Sequence, residues 1–321
     1  MHTFQELIKD FGTKFEHKHF PETPASLYDP CDYFLTLGGK RIRPILCLMA
    51  NELFAPLNEE SYNIAYAVEL FHNFTLIHDD MMDAASLRRG KQTVHTKYGY
   101  NTALLSGDVM MIKSYEYLAK LSPQNLKLIL PLFNKTAKEV CEGQQLDIDF
   151  EARSTVSLPE YIHMISLKTS VLLAACLAMG AILGGAGDYN QQQLYEFGLN
   201  LGIAFQIQDD YLDAFGDPEK FGKDVGGDIK QNKKTFLLIH ALEVAGDKEK
   251  LALERLLQTN EPDKVQQVLA IFKSIEIDVW ANELKKQYFE KALQHLDKIA
   301  VTTARKEQLL SLANYLIVRD K

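Results

Sequence analysis

Asp79 and Asp83 stand four residues apart in the stretch IHDDMMDAASLRRG, with Asp80 beside the first of them. On a helix turning about 100° per residue, positions four apart share a face. Two carboxylates on one face repel, so the arrangement costs stability unless a cation accompanies it. Magnesium suits such a pair: it is a hard ion, commonly held by one or two carboxylates plus substrate phosphates. Taken alone, one acidic pair reads as solvated surface. The pattern recurs in FQIQDDYLD, where Asp209 and Asp213 are again four apart, on a stripe with Gly202 and Gln206. Two DDxxD segments set in apolar helices point to metal instead. Facing each other, they would gather several magnesium ions around one phosphate group.

Basic residues accompany the acidic ones. Arg88 and Arg89 follow the first motif, and Lys223, Lys233 and Lys234 follow the second in FGKDVGGDIKQNKKT. GGKRIRP adds Lys40, Arg41 and Arg43 behind Gly38 and Gly39. Each cluster alone reads as solvated charge. The repeated order, acidic motif and then basic residues, favours phosphate chemistry, because guanidinium forks and ammonium groups both bind phosphate oxygens. There is no GxxxxGK[ST] loop, no GxGxxG after a strand and no D-x-[DN]-x-[DN]-G calcium loop, so nucleotide folds and an EF-hand are unsupported. A formal net charge of -8 argues against a nucleic-acid partner, which would need a basic surface.

The elements that must position these residues read as helices throughout. Apolar residues recur at three and four positions, and strict alternation is scarce. Helices are expected over 2–19, 26–36, 42–54, 60–83, 100–120, 124–150, 159–183, 190–215, 231–245, 247–258, 262–272, 277–299 and 303–318. Prolines fall mostly where helices start or stop, Pro30 among them, and Pro131 marks a break or kink. With 321 residues, 46% hydrophobic and 24% charged, and no shift in composition, the chain reads as one all-α domain over residues 1–321. The most apolar run, VLLAACLAMGAIL, is too short to span a bilayer and reads as a buried helix, so no integral membrane segment is expected. Cys31, Cys47, Cys141 and Cys176 have neither CxxC nor zinc-ligand spacing. Without a signal peptide they read as free thiols, and a cytoplasmic location is expected.

At this point the chain resembles the trans-isoprenyl diphosphate synthases, or polyprenyl synthetases, closest to the short-chain geranylgeranyl and farnesyl types. GGKRIRP, HDDMMDAASLRRG, GQQLD, SLKTS, FQIQDDYLD and GKDVGGDIKQNKKT occur in the family's order across residues 38–235. The resemblance implies an isoprenoid-synthase helical bundle around a central active-site cavity, working as a homodimer. It implies that an allylic diphosphate ionises, that isopentenyl diphosphate attacks the resulting cation, and that a proton is lost. Asp79, Asp83, Asp209 and Asp213 would hold magnesium, three ions being the expected number, with Asp147 a further ligand or a support. Arg88, Lys168, Lys223 and Lys233 would grip the allylic diphosphate. Lys40, Arg43, His72 and Arg89 would hold isopentenyl diphosphate. Lys168, Thr169 and Gln206 would be catalytic, the last two stabilising the cation. Outside the motif, His72 would read as a core histidine.

Product length would be set just before the first DDxxD. Phe71, Phe74, Thr75 and His78 form a stripe beside the metal face, and one helical turn there is about 5.4 Å of tail. Members making the C15 product often carry aromatics at both the fifth and fourth positions before the motif. Here those are Phe74 and Thr75, and no two residues are inserted between Asp80 and Asp83. That looks like archaeal-type geranylgeranyl diphosphate synthases, so a C20 product is expected and C15 is the alternative. Ala103, Leu104 and Val171 are further positions that could set the length. A terpene cyclase would usually replace the second DDxxD, and a non-catalytic partner subunit commonly loses one; both motifs are present here.

Overall fold

The computed structural model describes residues 1–216, 226–259 and 261–318; Lys223 lies outside them. The chain forms two compact units. One comprises Met1–Phe133, Cys176–Gln191 and Val301–Gln308, the other Asn134–Ala175, Gln192–Ala300 and the residues from Leu309. The architecture is all-α, as expected.

The helices are α1 Phe4–Phe15, α2 Ala25–Thr36, α3 Ile42–Glu52, α4 Glu59–Met82, α5 Val94–Tyr98, α6 Tyr100–Leu118, α7 Pro123–Ala152 and α8 Leu158–Ile165. A π-helical turn, Ser166–Ser170, leads into α9 Val171–Leu183. Then come α10 Asp188–Phe215, α11 Gly227–Lys230, α12 Phe236–Val244, α13 Asp247–Leu257, α14 Lys264–Ser274, α15 Ile277–Asp297 and α16 Thr303–Val318. Between α4 and α5 two short strands, β1 Leu87–Arg88 and β2 Lys91–Gln92, pair antiparallel.

In the first unit α4 is the central element, packed against α3 and α6. A reciprocal cap starts it: the Ser61 N–H donates to Asn58 Oδ1, and the Asn58 N–H donates to Ser61 Oγ. Small residues on α6, Ala103, Ser106, Gly107 and Ser114, are buried, and Ser114 Oγ donates to the Ala67 carbonyl of α4 at 2.8 Å. In the second unit α8, α10, α12, α14 and α15 share a core built around Tyr161, Ile207, Phe236, Phe272 and Ile277. α8 opens with its own capping box, Ser157 and Glu160.

Several expected boundaries move, for local reasons. The hairpin was not foreseen: its two-residue turn, Arg89–Gly90, has positive φ at both positions, as a type I′ turn requires. Gly99, at φ 90°, separates α5 from α6. The helix expected from 231 begins at Phe236, because Asn232 adopts φ 57° and the Lys233 N–H turns back to the Asp228 carbonyl at 2.9 Å. Pro131 breaks nothing: α7 runs through it. Pro131 and Lys127, whose carbonyl loses its partner, both lie on the exposed side. Pro30 likewise sits inside α2.

Leu158–Leu183 is long and apolar enough to cross a membrane by length and composition, because the π turn joins α8 to α9 without interruption. With 78% of its most apolar window buried, it is a core helix.

Candidate active site

In the first unit Asp79, Asp80 and Asp83 gather at the C-terminus of α4. The helix dipole already places partial negative charge there, so three carboxylates require compensation. The hairpin supplies it. Arg88 Nε lies 2.9 and 2.8 Å from the two Asp80 oxygens, and its Nη2 lies 2.7 Å from Asp80 Oδ1 and 3.8 Å from Asp79 Oδ2. Thr93 closes the hairpin's base, with Oγ1 donating to the Ala85 carbonyl at 2.7 Å. Asp80 is buried, and burial raises its pKa against the pull of Arg88. It is a structural anchor, whereas Asp79 is half-buried and Asp83 exposed.

A cationic cluster occupies the same unit. Arg41 pairs with the buried Glu69, and Arg43 Nη1 donates to His72 Nε2 at 3.0 Å. That bond makes His72 an acceptor and hence neutral. Burial, and then Arg43, Arg89, Arg88 and Arg41 in turn, push its pKa well below the usual range. Arg89 donates to the Gly38 carbonyl, and its guanidinium occupies the space a Cβ on Gly39 would fill, 2.8 Å from Nη2. Gly39 also has φ 146°, a backbone angle that calls for glycine. Arg43, His72 and Arg89 therefore come together, and Lys40 lies exposed on the same turn. Guanidiniums around a neutral imidazole suit an anion.

The second unit holds the other set. Lys168 Nζ donates to Asp147 Oδ2 at 2.6 Å, and Lys233 Nζ lies 3.6 Å from the same oxygen. Burial would raise the Asp147 carboxyl, but Lys233 and Lys168 together hold it below its ordinary value. Asp147, expected near the metal, is thus placed to orient two lysines. Lys168 and Thr169 sit on the π turn, a feature common at functional sites. Gly143 of α7 packs on that turn so closely that a Cβ would overlap the Lys168 and Leu167 backbone. Gly202 of α10 does the same against Ser170, where a Cβ would come within 2.7 Å of Cα.

Thr169 Oγ1 donates to Gln206 Oε1 at 3.0 Å, Gln206 Nε2 donates to Asp210 Oδ1 at 2.9 Å, and the Tyr161 hydroxyl donates to Asp210 Oδ2. Asp210 is buried, which raises its pKa. Asp209 and Asp213 are half-buried on the neighbouring face. Asp213 Oδ2 accepts the Asp228 N–H at 3.0 Å. Burial, and then Asp210, push the Asp228 carboxyl up to about 7.

Among the described residues no three His, Cys, Asp or Glu side chains close around a point as a metal cage. Paired carboxylates without a cage fit magnesium, which keeps open positions for water and phosphate oxygens.

Before the first aspartates, Phe71 and Phe74 are buried, with ring centroids 5.5 Å apart, and Phe71 meets Phe133 at 5.2 Å. Thr75 Oγ1 donates to the His72 carbonyl at 2.8 Å. His78 Nε2 donates to the Leu104 carbonyl at 3.1 Å, and its ring fills the place of a Gly107 side chain. Ala103 and Val171 are buried, but Leu104 is 46% exposed and does not line an interior wall.

Sequence reasoning passed over Asp228, Tyr161, Gly143 and the π turn. Asp228 lay in plain view inside GKDVGGDIKQNKKT. Gly143 opens the quoted GQQLD, but the neighbour it meets is visible only in three dimensions, and Tyr161 carried no signal.

A family model described as polyprenyl synthetase matches residues 24–275. The geranylgeranyl pyrophosphate synthase of Geoglobus acetivorans is 36% identical, covering 98% of this chain and 99% of its own. A crystal structure of a geranylgeranyl pyrophosphate synthase is 43% identical, with TM-score 0.95 and full coverage of both chains. The polyprenyl synthase of Caulobacter crescentus CB15, solved with calcium and isoprenyl diphosphate, is 27% identical, with TM-score 0.85 over 99% of this chain and 95% of its own.

Proposed function

The chain belongs to the polyprenyl synthetase family and is a prenyltransferase; on that premise we propose that it joins isopentenyl diphosphate to allylic diphosphates and extends them to geranylgeranyl diphosphate. One observation carries the reading: paired aspartates on a helix face recur once in each unit, with Arg88 beside Asp79 in the first and the Lys233 charge acting on Asp210 in the second.

The allylic carbon–oxygen bond breaks, and the electron pair leaves with pyrophosphate. The double bond of isopentenyl diphosphate then attacks the cation, and a proton passes to the released pyrophosphate. Asp79, Asp83, Asp209 and Asp213 would hold magnesium, three ions in this reading, which would supply positive charge to offset the departing pyrophosphate. Lys168 and Lys233, oriented by Asp147, and Arg88 bind the allylic diphosphate, joined by Lys223, which lies outside the described residues. Arg43, Arg89 and Lys40 bind the other diphosphate. His72, neutral, accepts from Arg43 and keeps that guanidinium aimed. Thr169 and Gln206 offer oxygen lone pairs to the cation, an electrostatic stabilisation fixed before the reaction starts.

The small Thr75 beside a buried Phe74 supports C20 over C15. Incubation with isopentenyl diphosphate, each allylic primer and magnesium, followed by chromatographic sizing, tests this. A C20 product is expected; a dominant C15 product overturns the length assignment, and no condensation with any primer overturns the reaction.

The same reading takes residues 1–321 as one functional domain, the family match running through segments of both units. It takes the protein as a homodimer: α6 leaves Leu104, Leu105, Ile112 and Tyr115 exposed, apolar surface a second copy would cover. Sedimentation should give twice the chain mass. Four free cysteines, three of them buried, fit a reducing cytoplasm.

A further inference from the structure

Lys264, the first residue of α14, is 3% exposed. A buried ammonium is costly unless its hydrogen bonds are satisfied, and burial pushes its pKa down. Its described acceptors are neutral: Asn232 Oδ1 at 2.6 Å and the Thr259 carbonyl at 3.2 Å. Asn232 is no ordinary partner. It holds the left-handed conformation in the loop between α11 and α12, immediately before Lys233.

A second contact from α14 reaches the same segment. A Cβ on Gly226 would overlap the Val265 side chain, and Gly226 itself has φ 82°. From the other side Asp213 holds the segment through two N–H groups, Gly226 to its carbonyl at 2.6 Å and Asp228 to its Oδ2 at 3.0 Å. Residues 226–235 are therefore gripped by α10 and by α14. An apolar residue at 264 would fill the same volume but could not fix the Asn232 carboxamide, which otherwise competes for nearby backbone groups.

We propose that Lys264 is a positioning residue for substrate binding: by clamping Asn232 it fixes the loop that presents Lys233 to the allylic diphosphate. This rests on the role given to Lys233 above. Lys264 itself touches no substrate, and it lies beyond every motif that carries the family resemblance.

The test uses the full chain with magnesium, isopentenyl diphosphate and farnesyl diphosphate. Lys264→Met keeps length and loses the donor. The KM for farnesyl diphosphate should rise about tenfold, the order of one lost polar contact, with the KM for isopentenyl diphosphate within about twofold. Lys264→Arg should recover most of the loss. Asn232→Gly keeps the backbone conformation and removes the acceptor. It should give the same shift, and the double variant should be no worse than either alone. An unchanged farnesyl diphosphate KM in both single variants overturns the clamp, as does a parallel rise of both KM values. Should Lys264→Met fail to fold, Asn232→Gly decides by itself. Calorimetric titration with magnesium pyrophosphate reads the clamp without turnover. Wild-type protein that binds pyrophosphate yet condenses nothing overturns the proposed function alone. Lys264→Met that binds as tightly as wild type overturns the clamp alone.

Discussion

The two DDxxD segments share their letters but hold their middle aspartates by opposite means. Asp80 is clamped by a full charge, the Arg88 guanidinium. Asp210 has neutral donors among its described hydrogen bonds, the Tyr161 hydroxyl and the Gln206 amide, with the Lys233 charge acting on it through space. The first arrangement compensates a helix end where negative charge already accumulates. The second leaves carboxylates crowded, and Asp228 rises to about 7. One motif can thus be anchored by charge or by hydrogen bonds, and the anchors should fail differently.

The largest effect should come from the outer aspartates. Asp79→Ala and Asp209→Ala should each lower kcat by on the order of a thousandfold, as loss of transition-state charge stabilisation does. Single-turnover assays check this, and near-normal activity in either would break the equivalence of the two ends. Next come the anchors. Arg88→Met leaves Asp80 buried without its cation and should cost about 3 kcal/mol in denaturant melts. Tyr161→Phe removes one hydrogen bond and should cost about 1–3 kcal/mol. If the tyrosine variant proves the weaker protein, the contrast between charge and neutral anchoring is wrong.

Acidity should separate the histidines from Asp228 by sign. The half-buried His72 and the buried His19 are bases with lowered pKa, His19 at about 4. The unfolded chain binds their protons first, so stability falls as pH drops from about 6.5 toward 4, by up to about 1.4 kcal/mol per pH unit for each group. Asp228 is the reverse: its raised pKa lets the folded state keep a proton, and its contribution is lost as pH climbs from about 4 through 7. In magnesium-free melts, His19→Asn should flatten the acid limb and Asp228→Asn the neutral one. The same slope in both variants would refute the assignment. The smallest effect concerns the product. Phe74→Ala should shift it toward longer chains, since pocket discrimination of this kind is worth about 1–3 kcal/mol; an unchanged distribution by chromatography would exclude Phe74 as the floor.

The aspartates, their basic companions and most helices were legible because they rest on spacing alone. Asp79 and Asp83 share a face wherever a helix forms, and α16 falls on the expected residues. What escaped notice depends on contacts far along the chain or on one backbone angle. Arg88 meets Asp80 after a segment in which Ala84, a non-glycine residue, takes φ 49°. Lys233 sits in a loop, not a helix, because Asn232 also takes a positive φ. Gly143 looks like any helical glycine until the π turn lies against it.

That turn has a consequence for anyone comparing or redesigning such chains. Ser166–Ser170 takes up one residue more than an α-helix of the same rise would. Removing a single residue there would close the wide turn into an ordinary α-helical one and leave the helix after it in register with α8. What would be lost is the bulge that carries Lys168 and Thr169 toward Asp147 and Gln206. The turn is slack wound into the helix, and an alignment gap placed inside it would mean a change of chemistry with the surrounding helix unmoved.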